Sequence, residues 1–270
     1  MPNFCLHEMS WPEVAELLNR TDLVIVPTGA IEAYGTHLPI GSDSIVAVKV
    51  AQRIAEETQV AVAPLLPVGH SEPLLSFPGT LSLRTESLTM LMEDVCRCLI
   101  KHGFRRILFL NTHLGNVHCI STVAENLKKT GTVFAQIDWW RFLARIMPFE
   151  EDAERIPHGH ASDVGTSVLL ALQPDLVRMN YAKKEIPKPS VYTEYPWAIT
   201  YPDLEGISVS GVIGDPSEAS SEKGERIIQE AMKHLIKFVE DFKNVKLPIR
   251  DGSLIEPRSG ERARNVEQEE

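Results

Sequence analysis

Short β-branched runs alternate with helix-period segments through the N-terminal half of the chain, and this alternation constrains the fold more than any other feature. The runs are Leu23 to Val26, stopped by Pro27, Thr28 and Gly29, then Val60 to Leu66, Ile107 to Leu110 and Thr132 to Ile137. Between them, Val46, Val50 and Ile54 recur every four positions from Ser44, behind Ser42 or Asp43 as a cap. Leu88, Leu91, Met92, Val95 and Leu99 share one helical face closed by Gly103, and Asn116 to Lys129 reads as a further helix. Strand, helix, strand in regular alternation predicts an α/β fold whose sheet is parallel and whose crossovers are right-handed.

The second half is less regular. A helix is expected from Ala161 to Leu172, and a proline-containing stretch from Pro187 to Pro202 reads as a long functional loop or lid. Ala219, Gly224, Ile227, Ile228, Ala231, Leu235 and Phe238 place a long terminal helix between Ser217 and Phe242. Residues 251–270 are charged and apolar-poor and are expected to form a loose tail, leaving 1–250 as one domain.

Of 270 residues, 43% are apolar and 24% charged, close to globular averages. The net charge of -10 and the lack of a basic run with interleaved aromatics exclude nucleic acid as an expected partner. Apolar runs are cut by Pro27 and Pro64, far short of the ~20 residues of a membrane span. The start, MPNFCLHEMS, carries no secretory pattern, so the cytoplasm is the expected compartment, with Cys5, Cys96, Cys98 and Cys119 reduced.

In open parallel sheets, ligands bind beyond the carboxyl ends of the strands. There this chain places Glu32, Tyr34, His37 and Asp43 after the first strand, and His70, Ser71 and Glu72 after the second. Asn111 and His113 follow the third, and Asp138, Trp139 and Trp140 the fourth. Carboxylate and imidazole without thiolate suit zinc, manganese or iron. Each residue alone is as well explained by a turn, a cap or a loop contact, and Asp43 stands where a helix cap would stand. Their convergence on one edge favours a divalent metal.

These segments together resemble the creatininase family over nearly the whole chain. PTGAIEAYGTHLPIGSD from Pro27 is similar to the motif in which a Glu, a His two residues on and a later Asp hold two divalent metals. NTHLGN from Asn111 is similar to the family's Asn-Gly-His-Gly-Gly-Asn, whose His is a ligand. FPGTLSL from Phe77, HASDVGTS from His160 and GVIGDPSEASSEKGER from Gly211 match further family segments. The resemblance implies a creatininase-like three-layer sandwich around a mainly parallel sheet, and Glu32, Asp43 and His113 as ligands of a first metal, zinc foremost and manganese or iron as alternatives. It also implies a small-molecule substrate and a homo-oligomer, a hexamer by family habit.

The departures fall on the second metal. Tyr34 stands where the family has a ligand His, Asp163 where many members have Glu, Gly165 where a second Glu would be, and Leu74 where a His is common. One metal site is therefore expected, with Asp163 either completing it or capping a helix. His160 and Asp163 are candidates for proton transfer, and Tyr34 for donating to a developing oxyanion. Trp139, Trp140, His37 and Ser71 are candidates for contacting substrate, with His37 as readily structural, and by alternation at a strand end only one of the two tryptophans can face the pocket. The expected reaction is metal-assisted hydrolysis of a C–N bond in a cyclic or formyl amide. The alternatives are C–C hydrolysis that opens a cyclic polyol diketone, or a non-catalytic binding protein that has lost ligands.

Overall fold

A computed structural model of the protein describes residues 4–147, 155–195, 197, 198 and 200–248. Strands β1 (Leu23–Thr28), β2 (Ala61–Val62), β3 (Arg106–Asn111) and β4 (Val133–Asp138) form one sheet in the order β2-β1-β3-β4, with every pairing parallel. All six residues of β1 are buried, as expected for a central strand covered on both faces. The register aligns Thr28, Asn111 and Asp138 in one row across the carboxyl ends of β1, β3 and β4.

The expected second strand, Val60 to Leu66, is shorter in the structure. Its ladder stops after Val62, because Pro64 has no N–H to give to a neighbour. Leu66 then rejoins β1 through a single bridge to Thr28.

The helices are α1 (Trp11–Leu18), α2 (Ser42–Thr58), α3 (Thr85–His102), α4 (Val117–Leu127), α5 (Trp139–Ile146), α6 (Asp163–Leu172) and α7 (Ser221–Lys243). Helices α2, α6 and α7 pack together, α3 and α4 pack together, and the two groups cover opposite faces of the sheet, a three-layer α/β arrangement. Helix α3 ends at Gly103 with φ +118°, the left-handed conformation read from the sequence. Helices α6 and α7 approach so closely that a Cβ on Gly224 would lie 1.9 Å from the Ser167 carbonyl oxygen. That contact brings the first turn of α7 against the first turn of α6.

Two helices were not expected. Helix α1 opens with a Ser10–Glu13 capping box and Pro12 in its first turn. Helix α5 follows β4 directly, so Trp139 and Trp140 begin a helix and do not alternate along a strand end. In the stretch from Pro187 to Pro202 the described residues form neither helix nor strand, and none lines the cavity presented below. The expected tail, 251–270, lies outside the described residues. No described helix is long and apolar enough to cross a membrane.

Candidate metal centre

The sheet order places β1 between β2 and β3, so the chain leaves β1 in two directions and a crevice opens where the strand order reverses. The loop after β1 folds back through Gly35, with φ +65°, and Glu32 is pinned by its N–H donating to the Ile40 carbonyl at 2.8 Å. Helix α2 begins at Ser42, with Gly41 in the capping position. Asp43 is therefore inside the first turn rather than a cap, and its side chain is buried. Thr112, just past β3, fastens this turn by donating its hydroxyl to the Asp43 carbonyl at 2.8 Å and to the Thr28 carbonyl at 3.1 Å.

His113 meets both carboxylates. Its Nδ1 lies 3.1 Å from Glu32 Oε2 and 3.4 Å from Asp43 Oδ2. Its Nε2 lies 2.8 Å from the His70 carbonyl oxygen. A carbonyl can only accept, so Nε2 carries the hydrogen and Nδ1 is the nitrogen turned to the carboxylates. Ser71 is buried behind this group and donates its hydroxyl to Glu32 Oε2 at 2.6 Å, while Trp140 donates its indole N–H to Asp43 Oδ1 at 3.1 Å.

The electrostatics of the cluster call for a cation. Burial pushes the Glu32 carboxyl up, but the adjacent His113 imidazole and the Ser71 hydroxyl outweigh it and hold the group below its ordinary value. For Asp43 burial wins over the hydrogen bonds from His113 and Trp140, and its carboxyl sits above the usual range. Burial disfavours the His113 cation, yet the two carboxylates override it and raise the imidazole well above its ordinary value. Two buried acids facing one imidazole are thus balanced by a proton on Nδ1 or by a metal ion in its place.

The donor set fits a divalent metal. One atom each from Glu32, Asp43 and His113 lie within 4.8 Å of one another, compatible with ligands about 2 Å from a common ion. The nitrogen left to bind is fixed by a backbone carbonyl, and one carboxylate is fixed by a hydroxyl, the supporting contacts that metal ligands ordinarily have. Among the described residues this is the only such cluster of three or more acidic, imidazole or thiol groups.

The remaining candidates divide. Glu32, Tyr34, Asp43, His113, Trp140 and His160 line one cavity of about 200 Å³ together with His158, which follows no strand end and belongs to none of the quoted motifs. His160 Nε2 lies 2.9 Å from the Ala33 carbonyl oxygen and must donate to it, which leaves Nδ1 as the basic nitrogen of the neutral ring. Tyr34 packs between His160 and Trp140, with ring centroids 4.5 and 6.2 Å away. Burial, with Asp43 and Glu32 nearby, raises its phenol well above the ordinary value, so it stays protonated.

Asp163 is not with the cluster. Its carboxylate is clasped by Lys223 Nζ at 2.7 and 2.9 Å, with Ser167 Oγ at 3.2 Å, because α7 delivers that lysine to the start of α6. Trp139 is fully buried in the core and does not line the cavity, since successive residues of a helix point about 100° apart. His37 is likewise buried outside the cavity, bonded through Nε2 to Thr166 Oγ1 at 2.8 Å. Ser71 supports Glu32 from behind and does not line the cavity.

The fold and this cluster define an α/β protein with a buried carboxylate–imidazole cluster, able to hold a divalent cation, at the switch point of a parallel sheet. The profile of the creatininase family, described as creatinine amidohydrolase, matches residues 7–239, and the chain belongs to that family of hydrolases. Creatinine amidohydrolase of Pseudomonas putida is 29% identical over 241 residues, covering 82% of this chain and 90% of that protein. The mycofactocin precursor peptide peptidase of Mycolicibacterium smegmatis is 30% identical over 227 residues, covering 80% and 83%. The 3-dehydro-scyllo-inosose hydrolase of Thermotoga maritima is 25% identical over 262 residues, covering 87% and 82%. A crystal structure of creatinine amidohydrolase superposes with a TM-score of 0.77 at 26% identity, over 91% of this chain and all of that one. A manganese form and a variant described as Zn-Zn type each superpose with a TM-score of 0.76 at 26% identity.

Proposed function

We propose that this chain is a one-metal hydrolase that cleaves a C–N bond in a small cyclic or formyl amide. The observation that carries the reading is the fixed tautomer of His113, which turns a basic nitrogen onto two buried carboxylates. Glu32, Asp43 and His113 would hold the ion, with zinc the best match and manganese or iron acceptable to the same ligands. When bound, the ion supplies Lewis acidity that polarises a carbonyl and makes water nucleophilic near neutral pH.

The chain's own groups supply the rest. His160, with Nδ1 free to accept, takes the proton from the attacking water and returns it to the leaving nitrogen. Trp140 gives the cavity an aromatic wall, while its N–H orients Asp43. Among the described residues the cavity wall carries no lysine or arginine, so charge on a substrate would be met by the metal centre alone.

A single metal is favoured by what surrounds the cluster. Asp163 is committed to Lys223, and Gly165, where the family's second Glu would stand, carries no donor, so neither supplies a further ligand. The C–C hydrolase reading draws support from the inosose hydrolase relative and from Tyr34, whose phenol suits an enolate oxygen as well as a tetrahedral one.

The test is hydrolysis of a panel of cyclic amides, formamides and cyclic 1,3-diketones by protein stripped of metal and reloaded with zinc, manganese or iron. The reading expects release of amine from an amide in the reloaded protein only. Turnover confined to the diketones would transfer the assignment to C–C cleavage, and metal-independent turnover would remove the metal from it.

A further inference from the structure

The hydrogen-bonding groups of the cavity wall are nearly all spoken for. Thr112 Oγ1 is held by two carbonyls, Trp140 Nε1 by Asp43, His160 Nε2 by Ala33, His113 Nε2 by His70 and His158 Nε2 by Met147. Tyr34 differs. It is 4% exposed, lines the cavity, and its hydroxyl makes no hydrogen bond to any described residue. It offers the one uncommitted side-chain O–H or N–H among the described residues of the wall.

The position of the ring is set by the residue opposite. A Cβ built on Gly165 would stand 3.3 Å from the Tyr34 hydroxyl oxygen, 3.4 Å from Cε1 and 3.8 Å from Cζ. The phenol therefore rests against the bare backbone of α6, where a Cβ alone would fit tightly and a longer side chain at 165 would enter the space of the ring. The two departures from the family pattern, at 34 and at 165, are thus one structural change: a large ring and the absence of a side chain that would displace it.

We propose that the Tyr34 hydroxyl donates a hydrogen bond to the substrate oxygen on which negative charge develops, and that Gly165 is the positioning residue that lets the ring reach it. This rests on the hydrolase reading above, because it needs a carbonyl to be attacked in this cavity. Packing against Trp140 and His160 fixes the ring before substrate arrives, so the donor needs little reorganisation when charge appears. A phenol also discriminates. It rewards a substrate with an oxygen at that point and leaves an isostere lacking it facing an unpaired hydroxyl.

The test uses zinc-loaded full-length protein and acetohydroxamic acid, a metal-chelating probe with an anionic oxygen, with binding followed by calorimetry. Tyr34→Phe should keep its zinc by elemental analysis yet bind the probe roughly 10-fold more weakly, the scale of one hydrogen bond to a charged group. On any amide the parent hydrolyses, kcat should fall about 100-fold with KM little changed. Gly165→Ala should weaken probe binding by a smaller factor with zinc intact, and should add little once Tyr34 is already Phe. Equal probe affinity in parent and Tyr34→Phe would overturn the assignment, as would equal and additive effects of Gly165→Ala in both backgrounds. Failure of the parent to hold zinc or the probe would instead break the hydrolase reading on which the proposal stands.

Discussion

Two acidic segments flank the cavity, and they have been put to different uses. The loops after β1 and β3 bring Glu32, Asp43 and His113 together, with each donor turned by a neighbour: Ser71 on Glu32, Trp140 on Asp43 and the His70 carbonyl on His113. At the start of α6, three residues beyond the cavity-lining His160, Asp163 is also a nearly buried carboxylate, but Lys223 neutralises it. The contrast teaches that a carboxylate's fitness as a ligand is decided by what already balances its charge. Glu32 and Asp43 have only an imidazole between them, so the cluster can accept a metal ion. Asp163 has a full cation 2.7 Å away, and to leave it would strand a partly buried lysine.

The largest effect should come from removing the imidazole that meets both carboxylates. His113→Ala is expected to abolish turnover and to cost more than the roughly 10–100-fold in metal affinity typical of groups that merely support a ligand. Its thermal unfolding should also come earlier, since two buried carboxylates are left facing each other without the imidazole between them, and retention of parental metal affinity would erase the distinction between the two segments. Asp163→Ala is the converse experiment. It should keep the metal yet lose about 3 kcal/mol of stability, the low end for breaking a buried pair, because Lys223 keeps some exposure. Loss of metal with unchanged unfolding would place Asp163 with the ligands after all.

His37 ties the two segments together, since it lies in the loop after β1 and bonds Thr166 of α6. Burial lowers its imidazole to about 4, and its ring stays neutral in the fold. An unfolded chain protonates this group below its ordinary value of about 6.5, whereas the fold resists until about 4, so its contribution is complete above 6.5 and is lost as pH falls between those limits. From pH 6.5 to 5 that amounts to about 2 kcal/mol. Urea midpoints measured at pH 7.5 and 5 should diverge in the parent and converge in His37→Gln; equal pH dependence in both would remove His37 as the cause. The smallest effect is at Ser71, where Ser71→Ala should loosen metal binding by about 10-fold through the freed Glu32 carboxylate, with stability changed only slightly.

How far the sequence foretold this depends on whether the cause is local. Strands β1, β3 and β4 and helices α2, α3, α4 and α7 announce themselves through periodicity and caps near their own residues. Helix α5 does not, because it follows β4 without a breaker. Its spacing of Trp139, Phe142, Leu143 and Ile146 was the available signal, and reading it would have placed Trp139 in the core and Trp140 alone at the cavity. The ligand-type residues of the first segment lie at strand ends and could be gathered by a topological rule. The fate of Asp163 could not, since its partner is 60 residues further along the chain and reaches it only because Gly224 lets α7 touch α6. The seating of Tyr34 on Gly165 is tertiary in the same sense, with 131 residues between a ring and the gap that accommodates it.

The central claim is that the first segment holds a metal and the second holds none. Elemental analysis of the purified full-length chain, dialysed against metal-free buffer after saturation with zinc, tests it directly and needs no substrate. One equivalent per chain is expected in the parent, and still one in Tyr34→His, because Lys223 keeps Asp163 and Gly165 offers no donor. Two tightly held equivalents in the parent would contradict it.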